Sequence, residues 1–505
     1  MKNKLFNSVK VFRPKGNAFD LSHKRKMSMN MGDLIQMYVQ KFVPVDRFGV
    51  SSEVMMRMAP MVSPVMHRVN LNVHFFHVPF RLLYDGWEDF ITGGKTGQVV
   101  PSFPKIDWFN GIDGSLTGPG SLADYMGLPT LGAGANSSYV SSLPFRAYQM
   151  IYNEYFRDQN LEDPIAFATT NTNPDAAEVA RLLTLRKRAW EKDYFTSALP
   201  WAQRGGEVLL PLQNDITYRS PSDILNGTQS GPSNDGNLTA TSGHLLIAGQ
   251  PSVVDNIEGI DSQLTINELR KAVRLQEWLE KNARGGARYI EQILSHFGVK
   301  SSDARLQRPE FLGGGKQHVV ISEVLNTTGT ATLPQGNMSG HGISVGKSNR
   351  FNKFFEEHGL VIGIMSVLPR TAYQQGLPRT FTKFDKFDYY WPEFANIGEQ
   401  EILKKELYYD PNDTANNEVF GYQSRYAEYK FNNSSVHGEF KDSLSFWHMG
   451  RIFGSRPVLN ADFVKADPTH RIFAVTDPSD HKLWVQLYND VQAIRPMPVF
   501  GTPML

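Results

Sequence analysis

Cysteine is absent from the 505-residue chain. Its absence excludes disulfides, thiolate metal sites and cysteine nucleophiles, and it fits a reducing cytoplasm without requiring one. An excess of one charge is missing too. With 52 basic residues against 51 acidic ones, the molecule as a whole is no polyanion-binding tail, and its solubility rests on mixed surface charge. Long hydrophobic runs are scarce. The candidate Gly359 to Leu368 is about half of the roughly 20 residues a membrane helix requires, and Pro369 ends it, so it reads as a buried strand. The opening MKNKLFNSVKVFRPKG is basic but lacks the apolar stretch and small-residue cleavage site of a secretory signal. No internal repeat is visible.

What is present is a series of short strands cut by punctuation. Val69 to Phe76 alternates apolar and polar residues and stops at Pro79. Val319 to Leu325 and Val361 to Val367 are further strands, with weaker ones at Phe431 to Leu444 and Arg471 to Val475. Because 42 glycines and 29 prolines are spread throughout, the expected fold is mainly β, a sandwich with long loop insertions and a few short helices. The spacing of Thr265 and Glu268 is that of a capping box, and Leu269, Val273, Gln276 and Leu279 share one helical face before Gly285. Second and third helices are expected over Tyr289 to Phe297 and Ala147 to Phe156. Two stretches, Asn110 to Ser142 and Asn226 to Gly243, are too polar or glycine-rich to be core. The resulting division is a basic arm over 1–30, sandwich over 31–213, an insertion over 214–256, sandwich again over 257–490 with its helical segment 265–297, and an extended tail over 491–505.

Patterns that carry chemistry are few. Gly342-Ile-Ser344-Val-Gly346 matches the nucleophile elbow of serine hydrolases, with Asp462 and His470 following in the required order. The polar, glycine-rich residues before it read as a loop, whereas the elbow needs a buried strand there. Gly346-Lys347-Ser348 ends a phosphate-loop pattern whose first glycine is replaced by His341. His74 and His77, three apart on a strand, point to opposite faces and make no metal site. Asp85, Glu88 and Asp89 around Trp87 have the residue types of a carbohydrate site, but read more simply as a capped turn with a packed tryptophan. A serine hydrolase using Ser344 and a glycan-binding β-sandwich therefore stand as the alternative classes. No cofactor is called for.

Lys2, Lys4, Lys10, Arg13, Lys15, Lys24, Arg25 and Lys26 are opposed over the first 30 residues only by Asp20. Such an arm suits phosphate neutralisation driven by counterion release, and equally suits a solvated terminus. Aromatic residues make up 12% of the chain. The clusters Phe384 to Trp391 and Phe446-Trp447-His448 suit either interface contacts, where such residues are enriched, or ordinary core packing.

Ordered blocks along nearly the whole chain carry a resemblance. They include Phe19-Asp-Leu-Ser-His23, Ala59-Pro-Met-Val-Ser-Pro-Val-Met-His-Arg68, Asn153-Glu-Tyr-Phe-Arg-Asp-Gln-Asn160, Ala283-Arg-Gly-Gly-Ala-Arg-Tyr-Ile-Glu291, Arg305-Leu-Gln-Arg-Pro-Glu-Phe-Leu-Gly-Gly314 and Gly421-Tyr-Gln-Ser-Arg-Tyr-Ala-Glu-Tyr-Lys430. In these the chain resembles the major capsid protein of microviruses, in particular the gokushovirus-like branch. Ser301-Ser-Asp stands where that pattern has a proline before the aspartate, and Gly111 to Ser138 and Asn214 to Asn256 match no block.

The resemblance implies an eight-stranded jelly roll and a shell of about 60 copies, T=1, built through pentamers. It implies as partners a scaffolding protein, a small basic DNA-packaging protein, a pilot or minor capsid protein, single-stranded DNA and a host cell-surface receptor. The place of action would be the virion, assembled in the bacterial cytoplasm. It also implies an insertion that forms protrusions at the three-fold axes. The 214–256 segment is the candidate, with Asn226, Thr228, Asn234, Asp235, Asn237 and Thr239 as candidate host-attachment residues.

Overall fold

The computed structural model describes residues 16–108, 112–130, 138–206, 208, 238–241, 244–247, 250–251, 266–325, 338–475 and 477–500, with the backbone alone for those between 238 and 251. The chain divides into two compact units, one of residues 1–202 and 285–505, the other of 203–284.

Strands of the larger unit, numbered here only where they join its two main sheets, are β1 (Asn17–Asp20), β2 (His23–Met29), β3 (Ile35–Phe42), β4 (Arg47–Met58), β5 (Val69–Pro79), β6 (Glu310–His318), β7 (Val320–Leu325), β8 (Met338–Lys347), β9 (Phe351–Phe354), β10 (Gly359–Pro369) and β11 (Leu483–Arg495). One sheet has seven strands in the order β1-β11-β4-β8-β7, with β2 also along β11 and β9 along β4; the other has four in the order β6-β5-β10-β3. Every pairing within them is antiparallel.

The alternation in β11 shows why the seven-stranded sheet has one wet face. Leu483, Val485, Leu487, Val491 and Ala493 are buried, while Trp484, Gln486, Gln492 and Ile494 are exposed. The four-stranded sheet differs. All of β10 is buried, because Val361, Met365 and Val367 enter the core between the sheets while Leu360, Ile362 and Ile364 enter a second core on the far side. That second core is closed by helix α1 (Leu143–Ile151), which contributes Leu143, Phe145, Tyr148 and Ile151. Truncating Ile362 to alanine is expected to cost about 2–5 kcal/mol, measured as the shift in urea unfolding, since neither face can collapse onto solvent.

Several expectations are met. The strand at Val69 runs to Pro79, the one at Val319 covers Val320–Leu325, and the Val361 strand widens to Gly359–Pro369. The helix at Tyr289–Phe297 ends where Gly298 takes a left-handed conformation, φ 69°. The Leu269 helix spans Ile266–Gly285, while the capping Thr265 lies outside the described residues. The expected Ala147 helix begins earlier, at Leu143, and passes into a wider turn over Tyr152–Phe156.

Other expectations need correction. Within Asn110 to Ser142, Leu122, Ala123 and Tyr125 are buried, so the stretch does reach the core. Ser121 caps their short helix, its Oγ accepting from the Asp124 N–H at 3.2 Å. The core is supplied by the sheets beneath, which composition alone does not register. Phe431 to Leu444 forms only the two-residue strand Ser434–Ser435 followed by turns, and Arg471 to Val475 contributes only a bridge from Phe473 to Met61. The polar residues of β5 are not solvent-facing either: Asn70 and Asn72 are buried, and Asn70 Oδ1 is 2.7 Å from His318 Nδ1.

The strands also shift two boundaries. Residues 17–20 and 23–29 are strands β1 and β2, and residues 491–495 finish β11, so the terminal segments are shorter than the sequence division has them. Helix residues 266–284 fall in the smaller unit along with the whole 214–256 segment. Among the described residues no helix is long and apolar enough to cross a membrane.

Candidate assembly and nucleic-acid surfaces

Of the eight basic residues singled out near the N-terminus, Lys2, Lys4, Lys10, Arg13 and Lys15 lie outside the described residues. The other three are neighbours on β2, where strand geometry separates them. Lys24 and Lys26 are exposed on the wet face. Arg25 turns the other way, donating to Gln36 Oε1 at 3.3 Å and to the Tyr125 carbonyl. Burial holds its guanidinium below the usual arginine range. Arg25 is part of the fold rather than a free cation.

The candidate attachment residues Asn226, Thr228, Asn234, Asp235 and Asn237 lie outside the described residues, and Thr239 is described only as backbone in the strand Leu238–Thr241.

Ser344 is not in a loop, as expected from its polar surroundings, but in the middle of β8. Glycines 340 and 342 permit this by letting other chain segments come close: an added Cβ would sit 2.3 Å from the Ser63 carbonyl oxygen and 2.5 Å from Met58 Sδ. Ser344 is 2% exposed, and its hydroxyl donates to the His318 carbonyl at 3.0 Å. It is a buried, satisfied strand residue with no turn-to-helix geometry behind it. Lys347, the lysine of the near phosphate loop, ends the same strand and pairs with Glu53 at 3.1 Å.

His74 and His77 do face opposite sides of β5: His74 lies against Phe156 and Phe311, His77 against Phe355. Burial lowers His74 to about 4, which keeps it neutral at physiological pH. Among the described residues no group of three His, Asp or Glu side chains could hold a metal ion. Around Trp87, Asp85 accepts from the Thr169 hydroxyl at 2.9 Å, and the indole packs on Phe80 with ring centroids 4.7 Å apart.

Glu310 links the two sheets. His77 of β5 lies with Nδ1 3.8 Å from its carboxylate and Lys353 of β9 places Nζ at 2.6 Å. Together, His77 first, they hold Glu310 down to about 2 from 4.5. A carboxylate depressed in the folded state stabilises above its unfolded pKa and loses that contribution as pH falls through its folded one. Glu310→Gln is therefore expected to unfold more easily than wild type by about 2 kcal/mol at pH 7, allowing for partial solvent screening. In urea titrations the gap should close between pH 4.5 and 2.

The aromatic clusters resolve differently. Phe446 and Trp447 are half-buried and His448 is buried, with Arg471 donating to the His448 carbonyl at 2.9 Å, so this cluster is internal packing. Phe384 to Trp391 belongs to an exposed ledge in which Phe381 is 74% and Phe384 89% accessible, with Phe387, Tyr389, Tyr390 and Trp391 near one half. A patch of this kind marks an interaction surface. The ledge is braced. The Asp388 carboxylate accepts from the Phe384 and Asp385 N–H groups at 2.9 Å, and Trp391 Nε1 donates to the Lys386 carbonyl at 2.8 Å. Beneath it, Lys383 Nζ pairs with Glu428 at 2.7 Å, their side chains 6% and 7% exposed, and Gln400 Nε2 donates to the other Glu428 oxygen at 2.7 Å. Sequence reasoning located the aromatics but not this pair, whose members lie 45 residues apart.

The family model described as "Capsid protein (F protein)" matches residues 7–505. The chain is similar to capsid protein VP1 of Chlamydia phage 1, 35% identical over 590 aligned positions covering 100% of this chain and 98% of the relative. It is 36% identical to capsid protein VP1 of Bdellovibrio phage phiMH2K, covering 96% and 95% of the two chains. Against capsid protein VP1 of Spiroplasma virus 4 the identity is 30%, with 96% and 94% covered.

Proposed function

The chain belongs to the phage capsid proteins of the F-protein family, and from that premise we propose that about 60 copies close a T=1 shell around a single-stranded DNA genome. It is a structural major capsid protein and not an enzyme. The observation that carries the reading is the family match over residues 7–505 of a mainly β chain.

An eight-stranded jelly roll is the fold we assign to the larger unit, and strand order supports it. With β1, β7 and β9 set aside as additions, β2, β11, β4 and β8 are consecutive in one sheet and β3, β10, β5 and β6 make the other. The chain changes sheet at every step from β2 to β5, stays for β6, and alternates again through β8, β10 and β11. Two Greek keys folded together wind in this way.

The exposed ledge around Phe381 and Phe384 is the surface we assign to subunit contact. A preorganised aromatic display loses little entropy when a neighbour covers it. The 214–256 segment, part of the smaller unit, is proposed as the outward insertion that contacts a host receptor. Shortening it should spare assembly and reduce adsorption to cells. Scaffolding, pilot and DNA-packaging proteins are the partners proposed for assembly through pentamers in the bacterial cytoplasm.

Sedimentation of the purified full-length chain, with and without its scaffolding partner, tests the function. Pentamers or shell-sized particles are expected. A monomer under both conditions would overturn the T=1 reading.

A further inference from the structure

The far side of the four-stranded sheet is covered by the second core, whereas among the described residues the outer face of the seven-stranded sheet is largely exposed around Trp484. Its middle carries a strip set by register. Trp484 of β11 stands between Ser28 of β2 and Arg57 of β4; Gln486 between Lys26 and Met55; Tyr488 between Lys24 and Glu53. Trp484 is 49% exposed, and Lys24, Lys26 and Arg57 are exposed. Among the described residues those three cations have no carboxylate partner, whereas Glu53 is already bound by Lys347. A cavity of about 820 Å³ opens at the Trp484 end, lined in part by Lys26, Ser28, Pro60, Pro119 and His481.

We propose that this strip binds single-stranded nucleic acid, with Trp484 and Tyr488 as stacking faces and Lys24, Lys26 and Arg57 as phosphate partners. The inference deepens the capsid reading, on which it rests for the identity of the polymer as a DNA genome. Charge decides the occupant. A second copy presenting the same strip would bring unpaired cations together, while a polyanion neutralises them and releases counterions. Geometry decides the strandedness. Trp484 and Tyr488 are four residues apart on one face, about 13 Å, which leaves room for splayed bases to lie on each ring. A duplex keeps its bases inside and has no use for the indole. Non-selective stacking with electrostatic tracking suits a polymer of arbitrary sequence.

The probe is a fluorescein-labelled oligothymidylate, titrated by anisotropy into unassembled full-length subunits between about 50 and 200 mM salt. Lys24→Gln/Lys26→Gln/Arg57→Gln should flatten the salt slope by about 2, at roughly 0.7 for each phosphate that is no longer neutralised. Trp484→Ala should weaken binding about 5- to 150-fold with the slope unchanged, and Trp484→Phe should restore most of it. All positions point outward, and matching melting curves would show that the variants are folded. An unchanged slope in the triple variant would overturn the proposal. So would equal affinity for a duplex of the same length, or variants that bind normally but no longer form particles, which would make the face a contact between copies. Wild-type particles forming from subunits with no affinity for the oligonucleotide would sink this inference and leave the capsid reading standing.

Discussion

Phe381→Ser/Phe384→Ser is expected to abolish shell-sized particles while leaving the subunit folded. Both rings are largely exposed, so their removal creates no cavity, and the melting temperature should stay within about 2 °C of wild type. Assembly is another matter. A central aromatic anchor is worth about 2 kcal/mol or more at one interface, roughly a 30-fold change in its association constant. A closed shell repeats each contact in every subunit, so a modest loss at each one raises the concentration needed for closure steeply. Sedimentation velocity and electron microscopy of variant and wild type, at equal protein and scaffold concentrations, make the comparison. Normal particles from the double variant would remove the ledge from the interface. If the variant unfolded instead, the ledge would be intramolecular packing, contrary to its exposure.

Lys383→Met should be the most damaging single change to the subunit itself. Burial alone would raise the Glu428 carboxyl, but Lys383 and Gln400 hold it below the usual carboxylate range. Removing the ammonium strands a carboxylate whose side chain is 7% exposed. Breaking a buried pair in this way costs about 3–5 kcal/mol, a large part of a domain's typical 5–15 kcal/mol. The Lys383 ammonium also lies 3.9 Å from the Tyr429 ring centroid, and that attraction disappears as well. Urea unfolding at pH 7 measures the effect. Adding Glu428→Gln should recover a substantial share, because a neutral carboxamide still accepts from Gln400 without an unpaired charge. A double variant no better than Lys383→Met would place the damage in poorer packing rather than in the stranded carboxylate.

Both predictions concern one segment, and they separate two roles that lie close together in the chain. Lys383 holds the segment down through a partner in another loop; Phe384, the next residue, faces outward and is free to be covered. In an irregular loop neighbouring residues point in unrelated directions, so the spacing rules for strands and helices do not apply. The pattern KFDKFDYYW, which begins at Lys383, reads the same whether that first lysine is solvated or paired.

Much of this protein was legible before any fold was drawn. The lack of cysteine and of long apolar runs excluded whole classes. The strands at Val69, Val319 and Val361 and the helices at Leu269 and Tyr289 follow from local periodicity and caps, which neighbouring residues determine among themselves. The family blocks from Phe19 to Lys430 carried the identity of the chain as a capsid protein. Tertiary structure alone decided the rest. It decided that Arg25 turns inward while Lys24 and Lys26 stay out, that Leu122 and Tyr125 are core despite their glycine-rich surroundings, and that Ser344 is a buried strand residue. It decided too that Trp484 stands beside Arg57, and Glu310 beside Lys353. Each of these depends on which distant segment covers a face or pairs with an edge. That is a property of long-range packing, which a local sequence window does not contain.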